Sequence, residues 1–151
     1  MRRKDREITD RVEIDDIIRR CRVCRIAMVD DGEPYVIPMS FGYDGESVYL
    51  HSAPEGRKLE VLRKSPRICV EFDILNEVRG SDQACEWGMA YESVIAMGAV
   101  EILEDAEEKR QGLDCVMAQY TEGDWDFPDD AISRTVVIRV RIDSISGKAR
   151  T

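Results

Sequence analysis

No stretch of this chain approaches the roughly 20 consecutive apolar residues that a membrane-spanning helix requires. The N-terminal segment MRRKDRE has the basic start of a secretion signal but lacks the apolar segment that must follow it. Both absences lead to the expectation of a cytoplasmic protein with no membrane partner. Positive charge is also scarce: 22 Lys and Arg face 31 Asp and Glu, for a net charge of −9. A nucleic-acid binder recruits phosphates with a basic stripe, so this balance argues against that class. The glycines fall at turns and never in the spacing of a dinucleotide fingerprint or a Walker loop. Nothing singles out a nucleophile elbow for a Ser-His-Asp arrangement.

Cysteine is present but not in a pattern that builds a site. Five occur, at Cys21, Cys24, Cys69, Cys85 and Cys115. An odd count without a secretion signal is poor grounds for a disulfide framework. Cys21 and Cys24 have CxxC spacing, but a zinc site needs a second pair and the others are isolated. A thioredoxin-type pair opens a helix after a strand, whereas this one follows a helix and enters a strand. In a strand the odd spacing would send the two thiols to opposite faces. They are read as structural thiols, and no metal site is expected. Met28, Met39, Met89, Met97 and Met117 are read as core filler.

What the chain does have suits one domain over residues 1–151, with an N-terminal helical extension over 1–21. A chain of this length buries roughly 68–70% of its unfolded surface, and 43% hydrophobic with 35% charged residues is a folding composition. The runs Glu101–Glu108 and Glu122–Asp130 hold five carboxylates each and are read as a solvated helix face and a loop. Asp10 caps a short helix with Val12, Ile14, Ile17 and Ile18 near helical spacing. Strands are expected over Arg22–Val29, Pro34–Phe41, Ser47–His51, Arg67–Phe72, Tyr91–Leu103 and Arg134–Asp143. Turns lie at Asp30–Glu33 and Tyr43–Glu46, and Gly98 marks a bulge or bend. Leu75–Gly88 has no clear period and reads as a loop. A second helix follows Asp105, with Glu108 three residues later and Leu113, Val116, Met117 and Tyr120 on one face. Six strands in hairpin succession with added helices indicate a mainly β fold, an antiparallel barrel with α additions.

The stretch HSAPEGRK, residues 51–58, is the most informative. It holds the only histidine, His51, and joins a strand to an amphipathic helix that must stop before Pro66. Ser52, the N–H groups of a loop and helix start, Arg57 and Lys58 come within reach of one another, which suits an anionic group. The reading is a phosphate cradle for a phosphorylated cofactor. Two successive cations at a helix start oppose its dipole and so call for an anion; otherwise they are simply solvated. Pro38, awkward inside a strand, would leave backbone groups free beside a flat heterocycle.

Four motifs in order, YVIPMSF (35–41), VYLHSAPEGRK (48–58), LRKSP (62–66) and SVIAMG (93–98), resemble the pyridoxamine 5′-phosphate oxidase-like, FMN-binding split-barrel superfamily. Within it, the likeness is to the nitroimidazole-resistance flavoproteins. It covers the chain from about Arg22 to the last strand. The resemblance implies a six-stranded antiparallel split barrel that forms a homodimer with FMN at the subunit interface. It implies that Val36, Ile37, Pro38, Met39, Ser40 and Phe41 lie along the isoalloxazine and ribityl chain. His51, Ser52, Arg57 and Lys58 would surround the phosphate, and Ser93 would approach the ring. His51, as the only histidine, matches a residue proposed to matter at the active site of that group and could donate a proton; the bland reading is a polar strand end.

Departures narrow the activity. Pyridoxamine-phosphate oxidases carry arginine where this chain has Val36 and serine where it has Gly56, and a longer basic C-terminal segment. A vitamin oxidase is not expected. The superfamily's deazaflavin- and haem-binding branches use larger anionic ligands for which no further basic site is visible, which leaves FMN first. Trp87 and Trp125 could stack on a flavin or cover an interface. The expected function is FMN-dependent reduction of small electrophiles such as nitro-aromatics. A non-catalytic flavin-storing module, an oxidase-related enzyme with another substrate and a flavin-free interaction domain stay open as alternatives.

Overall fold

Asp10 starts the first helix as its position suggests: its carboxylate accepts from the Val12 N–H at 2.9 Å, and α1 runs Arg11–Arg20. Ile14, Ile17 and Ile18 are buried on one side of it. The N-terminal extension is therefore built into the core, and a short strand before it, β1 (Glu7–Ile8), pairs with the end of the last strand. At the far end of α1, Gln119 Nε2 donates to the carbonyls of Arg19 and Cys21 at 3.0 and 2.8 Å, supplying partners that a helix terminus lacks. Replacing Asp10 by Ala is expected to cost about 1 kcal/mol, read as a lower denaturant midpoint with an unchanged slope.

The computed structural model describes residues 3–64 and 66–150; Met1, Arg2, Thr151 and the Ser65 of the LRKSP motif lie outside the described residues. The strands that follow are β2 (Cys24–Asp30), β3 (Glu33–Met39), β4 (Gly42–Tyr43), β5 (Ser47–Ser52), β6 (Arg67–Arg79), β7 (Gly88–Leu103) and β8 (Val136–Arg150). The helices are α2 (Arg57–Lys64), α3 (Ala106–Ala118) and α4 (Asp129–Arg134). The antiparallel sheet runs β3-β2-β6-β7-β8-β5-β4, with β1 beside β8, and forms a split barrel with helical additions. It has eight strands where the periodicity predicts six, because β1 and β4 are two residues each and too short to show a period. The barrel interior is filled by Ile26, Phe41, Leu50, Val70, Phe72 and Ile138, with Phe41 and Phe72 edge-to-face at 4.9 Å between centroids.

Two bulges account for the largest differences from expectation. Leu75–Gly88 is not a loop: β6 continues to Arg79 and returns as β7 from Gly88, so most of it is a projecting two-stranded ribbon. The ladder shifts between Leu75 and Glu77, so Asn76 is an extra residue that turns the following side chains to the other face and erases the period. The second shift is at Gly98, where a bend was expected: Gly98 pairs with Ile142 and Met97 with Ser144, leaving Asp143 extra. Met89, on the ribbon, is 51% exposed and is not core filler. In α3, Asp105 caps as expected, but Glu108 does not complete the box and instead meets Arg139 at 3.3 Å. The buried face of α3 is Gly112 and Val116. Cys21 caps α1 rather than lying in a strand, so both CxxC thiols are buried; burial pushes Cys21 up to about 11 and Cys24 up to about 12.

Candidate functional site

β5 sends Val48 and Leu50 into the core, and the strand's period turns His51 to the opposite face. Ser52, the last residue of β5, falls on the Leu50 side, so His51 and Ser52 leave the strand in opposite directions. The chain then reaches Gly56 at φ +123°, a conformation that a β-carbon disfavours. A serine there would be strained. The Gly56 carbonyl accepts from Leu59 and Glu60 at 3.0 and 3.3 Å and opens α2. Leu59, Val61 and Leu62 hold that helix against the core.

Arg57 and Lys58 begin α2, and their surroundings differ. Arg57 Nε donates to Asp30 Oδ2 at 2.8 Å, while its guanidinium carbon lies 4.4 Å from the centre of the Tyr35 ring. Lys58 is half-buried and, among the described residues, has no carboxylate in ion-pair range. Burial lowers the Lys58 pKa. His51 is exposed, yet it is held below its ordinary value, first by partial desolvation from the protein around it and second by the Lys58 charge. The Lys58 charge is felt at His51, while Arg57 is tied to the β2–β3 hairpin. Sequence reading missed Asp30 and the role of Tyr35; their only signal was a turn 27 residues from Arg57.

The His51 shift has a pH consequence. The folded chain refuses a proton that the unfolded chain accepts near pH 6.5, so this contribution to stability is full above that pH. It declines as pH falls through the lowered folded value. Between pH 7 and 5.5 the thermal midpoint of the parent protein should therefore drop further than that of His51→Gln. Parallel pH profiles of the two would show that His51 carries no such linkage.

The edge strand β3 explains its two prolines. Asp31 and Gly32 have φ of 50° and 91°, both positive, as a two-residue type I′ turn requires. The flanking pair Asp30–Glu33 then exchanges both hydrogen bonds, and the alternation makes Pro34, Val36 and Pro38 the residues whose main chain faces away from β2. Pro34 and Pro38 thus lose no ladder bond, and the Val36 N–H is the one outward donor among these three. Along the same run, Val36 and Pro38 are exposed, Ile37 and Met39 pack on the core, Ser40 is half-buried and Phe41 is fully buried. The Phe41 N–H is taken by the Tyr120 hydroxyl at 3.0 Å.

Ser93 sits elsewhere on the sheet. It pairs with Asp73 and Lys148, and it shares the outer face with Ile95 and Met97. Val36 is opposite Ala27, which pairs with Cys69, which pairs with Met97. Three strand spacings and four residues along β7 separate Val36 from Ser93, roughly 20 Å measured over the sheet. Their shared face is apolar and open: Val29, Val36, Leu75, Val78 and Ile95 are each at least 40% exposed. Arg25 within it is neutralised by Glu71 at 3.0 Å and by Asp73. Trp87 is held by its own ribbon, Nε1 donating to the Ser81 carbonyl at 2.7 Å, and Trp125 is exposed beside Gly123. No helix among the described residues is long and apolar enough to cross a membrane.

Comparison with known proteins agrees with this architecture. A candidate 5-nitroimidazole antibiotic resistance protein from Bacteroides thetaiotaomicron is 38% identical and superposes with a TM-score of 0.86, over 95% of this chain and 86% of that one. An FAD-binding protein from Mesorhizobium loti is 28% identical with a TM-score of 0.72, over 97% of this chain and 98% of that one. An uncharacterised protein of Rhizobium meliloti is 25% identical over 65 residues, so the match spans 43% of this chain and 42% of that curated relative. The model of the family described as pyridoxamine 5′-phosphate oxidase matches residues 10–149. Matched from the Asp10 cap of α1 almost to the end of β8, this chain belongs to the pyridoxamine 5′-phosphate oxidase family.

Proposed function

We propose that the chain binds FMN and is an oxidoreductase that reduces small electrophiles such as nitro-aromatics. The observation that carries the cofactor assignment is Lys58: a half-buried ammonium in the first turn of α2, with no carboxylate partner among the described residues. A desolvated cation in that position favours an anion, and a phosphate monoester matches the donors around it. Lys58 and Arg57 bind the phosphate with the early N–H groups of α2, and the Val36 N–H donates to the edge of the ring system. The bound flavin supplies hydride and electron transfer. His51 manages a proton: neutral at pH 7 within range of the Lys58 charge, its imidazole gains basicity when an anion is seated next to it, and it then has a proton to give to a reduced substrate.

The same reading requires two copies. Val36 and Ser93 are too far apart over the sheet to touch one ring system from a single chain, so a flavin that meets both would lie between two subunits. The exposed apolar outer face is the kind of surface that a second copy covers. The likeness to the Bacteroides nitroimidazole-resistance protein supports nitro-aromatics as the compounds acted on, while the Mesorhizobium relative's name gives FAD as the ligand to set against FMN.

The test is the absorption spectrum of freshly purified protein, chromatography of the released cofactor, and then steady-state NAD(P)H oxidation with and without a nitro-aromatic acceptor. A flavin double band, released FMN and acceptor-dependent turnover are expected. Released FAD or a haem band replaces the cofactor, and turnover no faster than free FMN leaves a flavin-storing protein.

A further inference from the structure

A carboxylate bonded to the proposed phosphate cradle has the wrong sign for an anion site. Asp30 is 19% exposed at its side chain and accepts from Arg57 Nε at 2.8 Å. It uses only the Nε side of the guanidinium, whose end bearing the two Nη groups is left as a fork for a second acceptor. Tyr35 lies 4.4 Å from the same guanidinium carbon and removes a second degree of freedom. Asp30 is itself fixed by the I′ turn, and its neighbour Asp31 reaches Lys64 at the other end of α2, 3.6 Å away. The hairpin thus holds both ends of the helix. Little of the helix's stability comes from these ion pairs, which are exposed and screened; Leu59, Val61 and Leu62 dock it.

We infer that Asp30 and Tyr35 are positioning residues: they orient Arg57 so that its free Nη fork meets the cofactor phosphate. This rests on the FMN assignment above. It makes a prediction opposite in sign to simple electrostatics. Removing a negative charge beside an anion site should tighten anion binding. If Asp30 orients Arg57, its removal loosens binding instead, because a long side chain with free rotamers loses its arranged fork.

The experiment titrates the apoprotein with FMN and with riboflavin, which lacks the phosphate, and reads the ratio of the two affinities. A merely structural effect lowers both affinities and leaves the ratio unchanged. Asp30→Ala should reduce the ratio about five- to tenfold, the scale of one charge-assisted hydrogen bond partly lost. Asp30→Asn keeps an acceptor for Nε and should stay within about twofold of the parent. Tyr35→Phe should likewise retain the ratio and Tyr35→Leu lower it, since only the ring face is needed. An unchanged or raised ratio in Asp30→Ala, with Arg57→Ala/Lys58→Ala still lowering it, overturns the positioning role alone. An unchanged ratio in that double variant removes the phosphate from α2 and overturns both readings.

Discussion

Replacing Arg57 and Lys58 together by alanine is expected to weaken FMN binding by about a hundredfold or more, the equivalent of two hydrogen bonds to charged groups. Riboflavin affinity should change little, because the ring contacts proposed for β3 and Ser93 are untouched. Fold stability should hold or rise slightly. Both cations sit in the first turn of α2, where they oppose the helix dipole, and the Arg57–Asp30 pair is too exposed to contribute much. Isothermal titration with each ligand, alongside thermal melts of the unliganded proteins, separates these effects. Equal losses for FMN and riboflavin would mean that the variant damages the pocket rather than a phosphate contact.

Gly98→Ala is expected to destabilise the chain by about 3 kcal/mol, lowering the thermal midpoint by about 10 °C. A β-carbon on Gly98 would overlap the carbonyl oxygen of Arg141 and stand 2.9 Å from both its carbonyl carbon and Val140 Cγ1. The oxygen belongs to the β8 backbone and cannot swing away as a long side chain could. The bulge that leaves Asp143 unpaired lies at this position, so relief requires the longest ladder in the sheet to shift. A midpoint within about 2 °C of the parent would show that the bulge yields easily.

Features governed by near neighbours were legible before the structure. The Asp10 and Asp105 caps, the positive-φ turn at Gly32 and the bend at Gly98 each depend on a few adjacent residues, and all form. The ribbon after Leu75 was not legible, because one bulged residue at Asn76 breaks the two-residue period on which strand reading depends. α4 is six residues long, less than two turns, and has no room to display a helical period. Pro38 was read as a break that frees backbone groups beside a ligand; the register instead makes its missing N–H face the sheet edge, so no ladder bond is lost.

The candidate site divides in the same way. The sequence alone placed a histidine, a serine and two cations along one strand-to-helix junction, and it indicated an antiparallel barrel with added helices. The tertiary structure decided which charges are already satisfied: Arg57 is held by Asp30 and Tyr35, while Lys58 is half-buried without a carboxylate among the described residues. It also decided that Val36 and Ser93 are separated across the sheet. Caps and turns are selected by bonds between residues a few positions apart, which local sequence encodes directly. Ion-pair partners and shared faces are selected by distance through space, and that exists only once the strands have found their register.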